Sequence, residues 1–316
     1  MVGSSAGGTE LGRGLLAELT VHSDDPAVLF RAAEDWLTNG IVEASGGIGM
    51  EDVESSVKVS AKGYKKIPTA LLVGRPGGVR GLVSVSPSDS WDVLYNPYTP
   101  QVRSWISQEI EKRAESIGVD IGFFQGEGES GSPHTRMSVA FDEDLDEYVR
   151  LRYHVEEETL TDPVAGARSQ RCMTTVLRKF SKRYPAVFGH LSYDDPDGKT
   201  ELEKFLRGVQ GDPASNILKS PDRLRGYSWV MVVPEEVAAG LGGADTLGSA
   251  EAFTEIESLP SGSLWLQATG DYTDYCGERV RNVWRAVRDS LIPGKPQPPR
   301  FVPGGTPTHM VVFDGE

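Results

Sequence analysis

The stretch from Gly226 to Gly270 constrains this chain more than any other. It opens with Tyr227 to Val233, a run of aromatic and β-branched residues without polar alternation. Such a run suits a strand buried on both faces. Pro234 follows and can open a helix at its first position, with Glu235 and Glu236 placed to complement the helix dipole. Gly242 and Gly243, directly after Leu241, supply a left-handed stop. Phe253 to Ser258 and Ser263 to Thr269 then flank Pro260-Ser261-Gly262, the pattern of a hairpin. Strand, short helix and hairpin, with Trp229 and Trp265, read as a core module. It carries no recognisable chemistry.

The rest of the chain supplies elements of the same kinds. Leu15 to Val21 reads as a strand, and Ser23-Asp24-Asp25-Pro26 starts a helix with a capping Asp and an N-terminal Pro. Val28, Leu29, Ala32, Ala33, Trp36 and Leu37 form its apolar stripe. Strands are expected at Val57 to Ser60, Thr69 to Gly74 and Gly81 to Ser86, with a turn at Arg75 to Gly78. A helix is expected from Gln101 to Ile117, stopped by Gly118. Thr135 to Phe141, Tyr148 to Val155 and Val187 to Tyr193 read as strands, and Pro163 to Tyr184 as a helix. The basic face of that helix (Arg168, Arg171, Arg178, Lys179, Lys182, Arg183) is expected against acidic neighbours or solvent. Asp194-Asp195-Pro196 opens a further helix near Lys199 to Val209, and Gly277 to Leu291 is the last.

A chain of 316 residues is long enough for two domains or one duplicated unit. The composition predicts a flexible leader over 1–14, an α+β half over 15–125, a linker over 126–134, a second α+β half over 135–292 and a Pro-rich extended tail over 293–316. Both halves run strand, helix, strand, strand, helix, and each has an Asp-Asp-Pro helix start. The expected fold class is α+β, with mostly antiparallel sheets backed by helices, in a pseudo-duplicated arrangement.

Charge narrows the partners. With 32 basic and 46 acidic side chains the net charge is −14, which disfavours nucleic acid and anionic membrane and favours a basic partner. No stretch approaches the roughly 20 apolar residues of a membrane span, and no signal peptide is visible. Two cysteines, Cys172 and Cys276, are too few for a disulfide framework, so a reducing cytoplasm is expected.

No catalytic constellation stands out, and no cofactor is called for. The glycines around Gly47 lack the context of a dinucleotide fingerprint, and phosphate-loop, zinc-protease and serine-hydrolase motifs are missing. The five histidines form no pair at metal-ligand spacing, so no metal site is predicted, with ligands distant in sequence left open. Cys276 precedes a helix, which can activate a thiol, but Asp271 and Asp274 oppose a thiolate there. The densest charge lies at Asp142, Glu143, Asp144, Asp146 and Glu147, with Glu156 and Glu157 at the far end of the following strand. It reads as a surface for a basic partner or as a solvated turn. Trp91, Tyr95, Tyr98, Tyr272 and Tyr275 fall in expected loops. Tyr95, Tyr98 and Tyr272 are the candidate anchors; packing under a loop is the alternative.

The central stretch also resembles the type VI immunity family of bacterial proteins. The residues that carry this are Gly226, Trp229, Leu241, Gly242, Gly243, Leu247, Gln267 and Gly270, within the last third of the chain. The resemblance implies a cytoplasmic, non-enzymatic protein that binds and neutralises a bacterial toxin, with no catalytic residues. The competing expectation is an enzyme or small-ligand binder using a cleft between the two halves.

Overall fold

Alternating side chains in the strands build one sheet, and the register shows which residues share a face. The computed structural model describes residues 13–125, 133–194, 198–206 and 208–296. Its strands are β1 (Gly14–His22), β2 (Val79–Ser86), β3 (Leu94–Pro97), β4 (Ser116–Phe123), β5 (Pro133–Ala140), β6 (Tyr148–Glu156), β7 (Ala186–Asp194), β8 (Val230–Val233), β9 (Glu255–Ser258) and β10 (Leu264–Gln267). They form a single 10-stranded sheet in the order β3-β2-β4-β5-β6-β1-β7-β8-β10-β9. Every neighbouring pair is antiparallel. The fold is α+β, an antiparallel sheet backed by helices.

Directly opposed residues project to the same face. One face carries Val83, Val119, Met137, Tyr153, Ala17, Leu191 and Val230 in a transverse row. These residues join the main core with Leu29, Trp36 and Ile106 from the first half and Met173, Val176 and Phe180 from the helix Pro163–Arg183. Trp36 adds direction, since its indole Nε1 donates to the carbonyl of Arg152 at 3.0 Å. The basic face of Pro163–Arg183 does meet acidic neighbours: Arg178 pairs with Glu255 and Glu257 and stacks 4.5 Å over Trp265, and Lys182 reaches Glu257.

The opposite face carries a different row: Tyr95, Ser84, Gly118, Ser138, Arg152, Glu18, His190, Met231, Leu266 and Ile256. Its first four residues are half-buried, whereas Glu18, His190, Met231 and Leu266 are fully covered. The cover over Glu18 comes from the segment around Thr200, Glu203 and Arg225. This face thus passes from half-buried polar residues, through an enclosed charged cluster at Glu18, to the enclosed apolar residues Met231 and Leu266.

Several local expectations hold. Asp25 caps the helix Pro26–Asp35, accepting from the amide of Ala27, and Pro26 sits at its start. Gly242 is left-handed (φ 84°), where a side chain would be strained. Val230–Val233 is a strand buried throughout, the helix Glu235–Gly240 follows, and Glu255–Ser258 pairs with Leu264–Gln267 as the expected hairpin; between them Gly243–Ser249 is a second helix that was not expected.

Others are corrected. The expected strands at 57–60 and 69–74 are not strands; Thr69–Leu71 is a 3-10 turn. Residue 60 is held by the side chain of Asn96, which accepts from the amide of Ser60 at 2.8 Å and donates to its carbonyl at 2.9 Å. A side-chain amide has replaced a backbone ladder there. The expected helix 101–117 ends at Glu111, and Ser116–Phe123 is β4, a strand in the interior of the sheet. Ala114 and Ile117 are buried with Ile110, so apolar spacing was satisfied by a helix end followed by a strand start. The reversal occurs at Arg113, which takes a left-handed φ of 55°. The strand expected from Tyr227 begins only at Val230. The expected helix at 199–209 is shorter, Glu201–Phe205, with Thr200 as its cap. Residues 1–12, 126–132, 195–197, 207 and 297–316, and with them the leader, most of the linker and most of the tail, lie outside the described residues. On either side of 126–132, β4 and β5 pair with each other.

Candidate functional site

Register also brings scattered loops to one end of the sheet. Ser86, Ser116, Ala140, Arg150 and Thr20 are aligned across β2, β4, β5, β6 and β1. The connections next to these residues therefore project from the same end: 87–93 between β2 and β3, 112–115 before β4, 141–147 between β5 and β6, and 23–25 after β1. At about 4.8 Å per strand, β2 and β6 lie roughly 14 Å apart. These loops make a rim narrow enough for one partner surface.

The acidic turn 141–147 is built, not merely solvated. Leu145 is 2% exposed and packs with Tyr148 and Ile217, so the turn is anchored by the one apolar residue among its acids. Backbone bonds from Leu145 to Asp142 (3.1 Å) and from Tyr148 to Leu145 (3.0 Å) close it. Arg113 pins it from the neighbouring connection, donating to the carbonyls of Asp146 (2.8 Å) and Leu145 (3.0 Å) while lying 5.0 Å over the Phe141 ring. Asp142 accepts from Arg150 at 2.7 Å and is committed to structure. Asp146 lies 3.5 Å from Arg113, and Glu147 lies 3.4 Å from His22. Glu143 and Asp144 are exposed, and among the described residues they form no ion pair.

Trp91 is fully exposed in the 87–93 connection. An indole in water is an unused apolar surface with a free donor, the side chain most often found as an interface anchor.

The remaining site residues separate. Tyr98 is fully buried, its hydroxyl donating to the carbonyl of Leu37 at 2.6 Å. Tyr272 is 6% exposed and packs edge-on against Trp229. For these two the packing alternative holds, and neither can touch a partner without unfolding its surroundings. Tyr95 is half-buried on the polar sheet face. Glu156 and Glu157 stand at the other end of β6, about 27 Å from the acidic turn at roughly 3.4 Å per residue. The structure thus gathers Asp142, Glu143, Asp144, Asp146 and Glu147, and leaves Glu156, Glu157 and Tyr272 elsewhere. Exposure singles out Trp91 over the tyrosines; its neighbours Ser88, Asp89, Ser90 and Asp92 offered no apolar companion, which was the available signal.

A second polar feature lies inside. Arg225, 0% exposed, donates to Glu18 at 2.8 Å and to both oxygens of Glu203 at 2.9 and 3.0 Å. Burial opposes ionisation of Glu18, yet Arg152, Arg225 and Arg150 outweigh it and hold the carboxyl far below its ordinary value. Burial also opposes the charge on Arg225, and Glu203 and Glu18 more than restore it. Beside this network His190 is buried at 3% exposure, and burial pushes its pKa down to about 4, so its imidazole is neutral. His190 and Ser192 line a small cleft with Thr200, Gly226, Tyr227 and Ser228, large enough for about one water molecule. The cleft lies within the second half of the chain, not between the halves.

No known protein family matches the chain. No curated protein matches it either. Among solved structures, a T6SS protein of Pseudomonas aeruginosa is similar, with a TM-score of 0.48 and 11% sequence identity, covering 89% of this chain and 73% of that one. Among the described residues, no helix is long and apolar enough to cross a membrane.

Proposed function

We propose that this chain is a non-enzymatic binding protein that holds a basic protein partner against the rim formed by 87–93 and 141–147. The observation that carries the reading is the fully exposed Trp91 at the same end of the sheet as the unpaired acids Glu143 and Asp144. An exposed indole at the same end of the sheet as preorganised negative charge combines an anchor with a steering field. Pinning of the acidic turn by Arg113 and Leu145 lowers the ordering cost of binding. The finer reading is an immunity protein that neutralises a bacterial toxin in the cytoplasm. Its support is the resemblance of the Gly226–Gly270 stretch to the type VI immunity family.

The test begins with capture from the source organism, using the wild-type chain and a Trp91→Ala/Glu143→Lys/Asp144→Lys variant as baits. A basic protein held by the first and not by the second is expected. With that protein in hand, association is measured at two salt concentrations. The charge reversals lower the on-rate at low salt, where charges act over about 10 Å, and lose their effect near 1 M, where the range is about 3 Å. Trp91→Ala raises the off-rate by at least about tenfold. Equal capture by both baits, or rates indifferent to salt and to Trp91, removes the rim from function.

A further inference from the structure

His22 closes β1, Asp24 follows it, and Glu147 ends the acidic turn. His22 and Glu147 are 125 positions apart, beyond the reach of any spacing rule. Pairing of β1 with β6 brings them together: His22 lies opposite Tyr148, and the amide of Ser23 donates to the carbonyl of Glu147 at 2.9 Å. The His22 ring lies against the Tyr148 ring with 4.6 Å between centroids, which restricts its rotation. One ligand atom from each of His22, Asp24 and Glu147 lies within 4.8 Å of the others.

We propose that His22, Asp24 and Glu147 bind a zinc-class divalent ion, with water completing a tetrahedron. The site shares Glu147 with the 141–147 turn but needs no partner to form. The His22 Nε2 to Glu147 Oε2 separation is 3.4 Å. That is long for a hydrogen bond, whose N–O distance is about 2.7–3.2 Å. It fits the edge of a zinc tetrahedron, since bonds of about 2.0–2.2 Å at the tetrahedral angle place two donors roughly 3.4 Å apart. Asp24 is exposed and free to close the remaining gap by a side-chain rotation. Among the described residues Asp24 has no ion-pair partner, and Glu147 has only His22. One imidazole with two carboxylates is a borderline donor set. It favours zinc and its transition-metal neighbours over calcium and magnesium, which take oxygen ligands.

Isothermal titration of the chelator-treated full chain with zinc chloride tests this. One zinc per chain is expected, unaffected by excess calcium. His22→Ala and Glu147→Gln weaken affinity at least about tenfold, in the range that loss of metal-site support produces. Glu143→Gln, at the same turn, and Cys276→Ser, a competing exposed thiol, leave it unchanged. Circular dichroism of each metal-free variant keeps loss of fold apart from loss of the site. Tetrahedral cobalt absorption in the wild type, absent in folded His22→Ala, is the second readout. Failure to bind zinc, zinc binding indifferent to His22 and Glu147, or displacement by calcium would overturn the site.

Discussion

Replacing Arg225 by Met puts the interior of this fold under the most direct stress. The guanidinium is 0% exposed and makes bonds to Glu18 (2.8 Å), Glu203 (2.9 and 3.0 Å) and the carbonyl of Gly198 (2.9 Å). Glu18 keeps Arg152 at 2.7 Å after the change, so its charge remains paired. Among the described residues the Glu203 carboxylate then keeps one neutral donor, the Thr200 amide at 2.7 Å, and its side chain is 0% exposed. A buried carboxylate without its cation costs about 3–5 kcal/mol. That is a large part of the roughly 5–15 kcal/mol by which a native fold is stable. Urea unfolding at pH 7.5, followed by tryptophan fluorescence, should show this loss with an unchanged slope. Adding Glu203→Gln to Arg225→Met should recover much of it, because the stranded charge is gone and Gln still accepts from Thr200. The loss should be insensitive to salt, since a pair this deep is little screened. A deficit below about 1 kcal/mol, or a double variant as unstable as the sum of the singles, would refute the account of the network as a charge held by its partners.

Two further outcomes follow from named groups. Burial holds the pKa of His190 at about 4 against an ordinary 6.5, so between these values the unfolded chain binds a proton that the folded chain does not. Stability therefore falls as pH drops through that window, by about 2 kcal/mol at pH 5, and unfolding of His190→Gln compared with wild type at pH 7.5 and pH 5 should show that share of the dependence gone. Tyr98→Phe removes the bond to the Leu37 carbonyl and should cost about 1–3 kcal/mol, measured by the same denaturation. It should leave partner association rates unchanged, because Tyr98 has no exposed surface; altered rates in a folded variant would reinstate it as an anchor.

Local chemistry made much of the fold legible. Asp25 before Pro26 and the left-handed Gly242 mark boundaries through contacts made within a few residues. The apolar run ending at Val233 and the Pro260-Ser261-Gly262 turn announce a buried strand and a hairpin for the same reason. The acidic turn was visible as composition. Its order was not, because that depends on Arg113, reached across 33 positions, and on Ile217 beneath Leu145. Strand β4 was hidden because Ile110, Ala114 and Ile117 keep helical spacing while belonging to two elements of one core. Spacing reports that residues are buried together; it does not report whether the backbone has turned between them. Tertiary structure alone decided that Tyr98 and Tyr272 are interior and Trp91 is not. It alone joined Glu18 to Arg225 across 207 positions, and His22 to Glu147 across 125. Strand register made those meetings, and register is set by the fit of whole apolar faces, which no short segment of sequence contains.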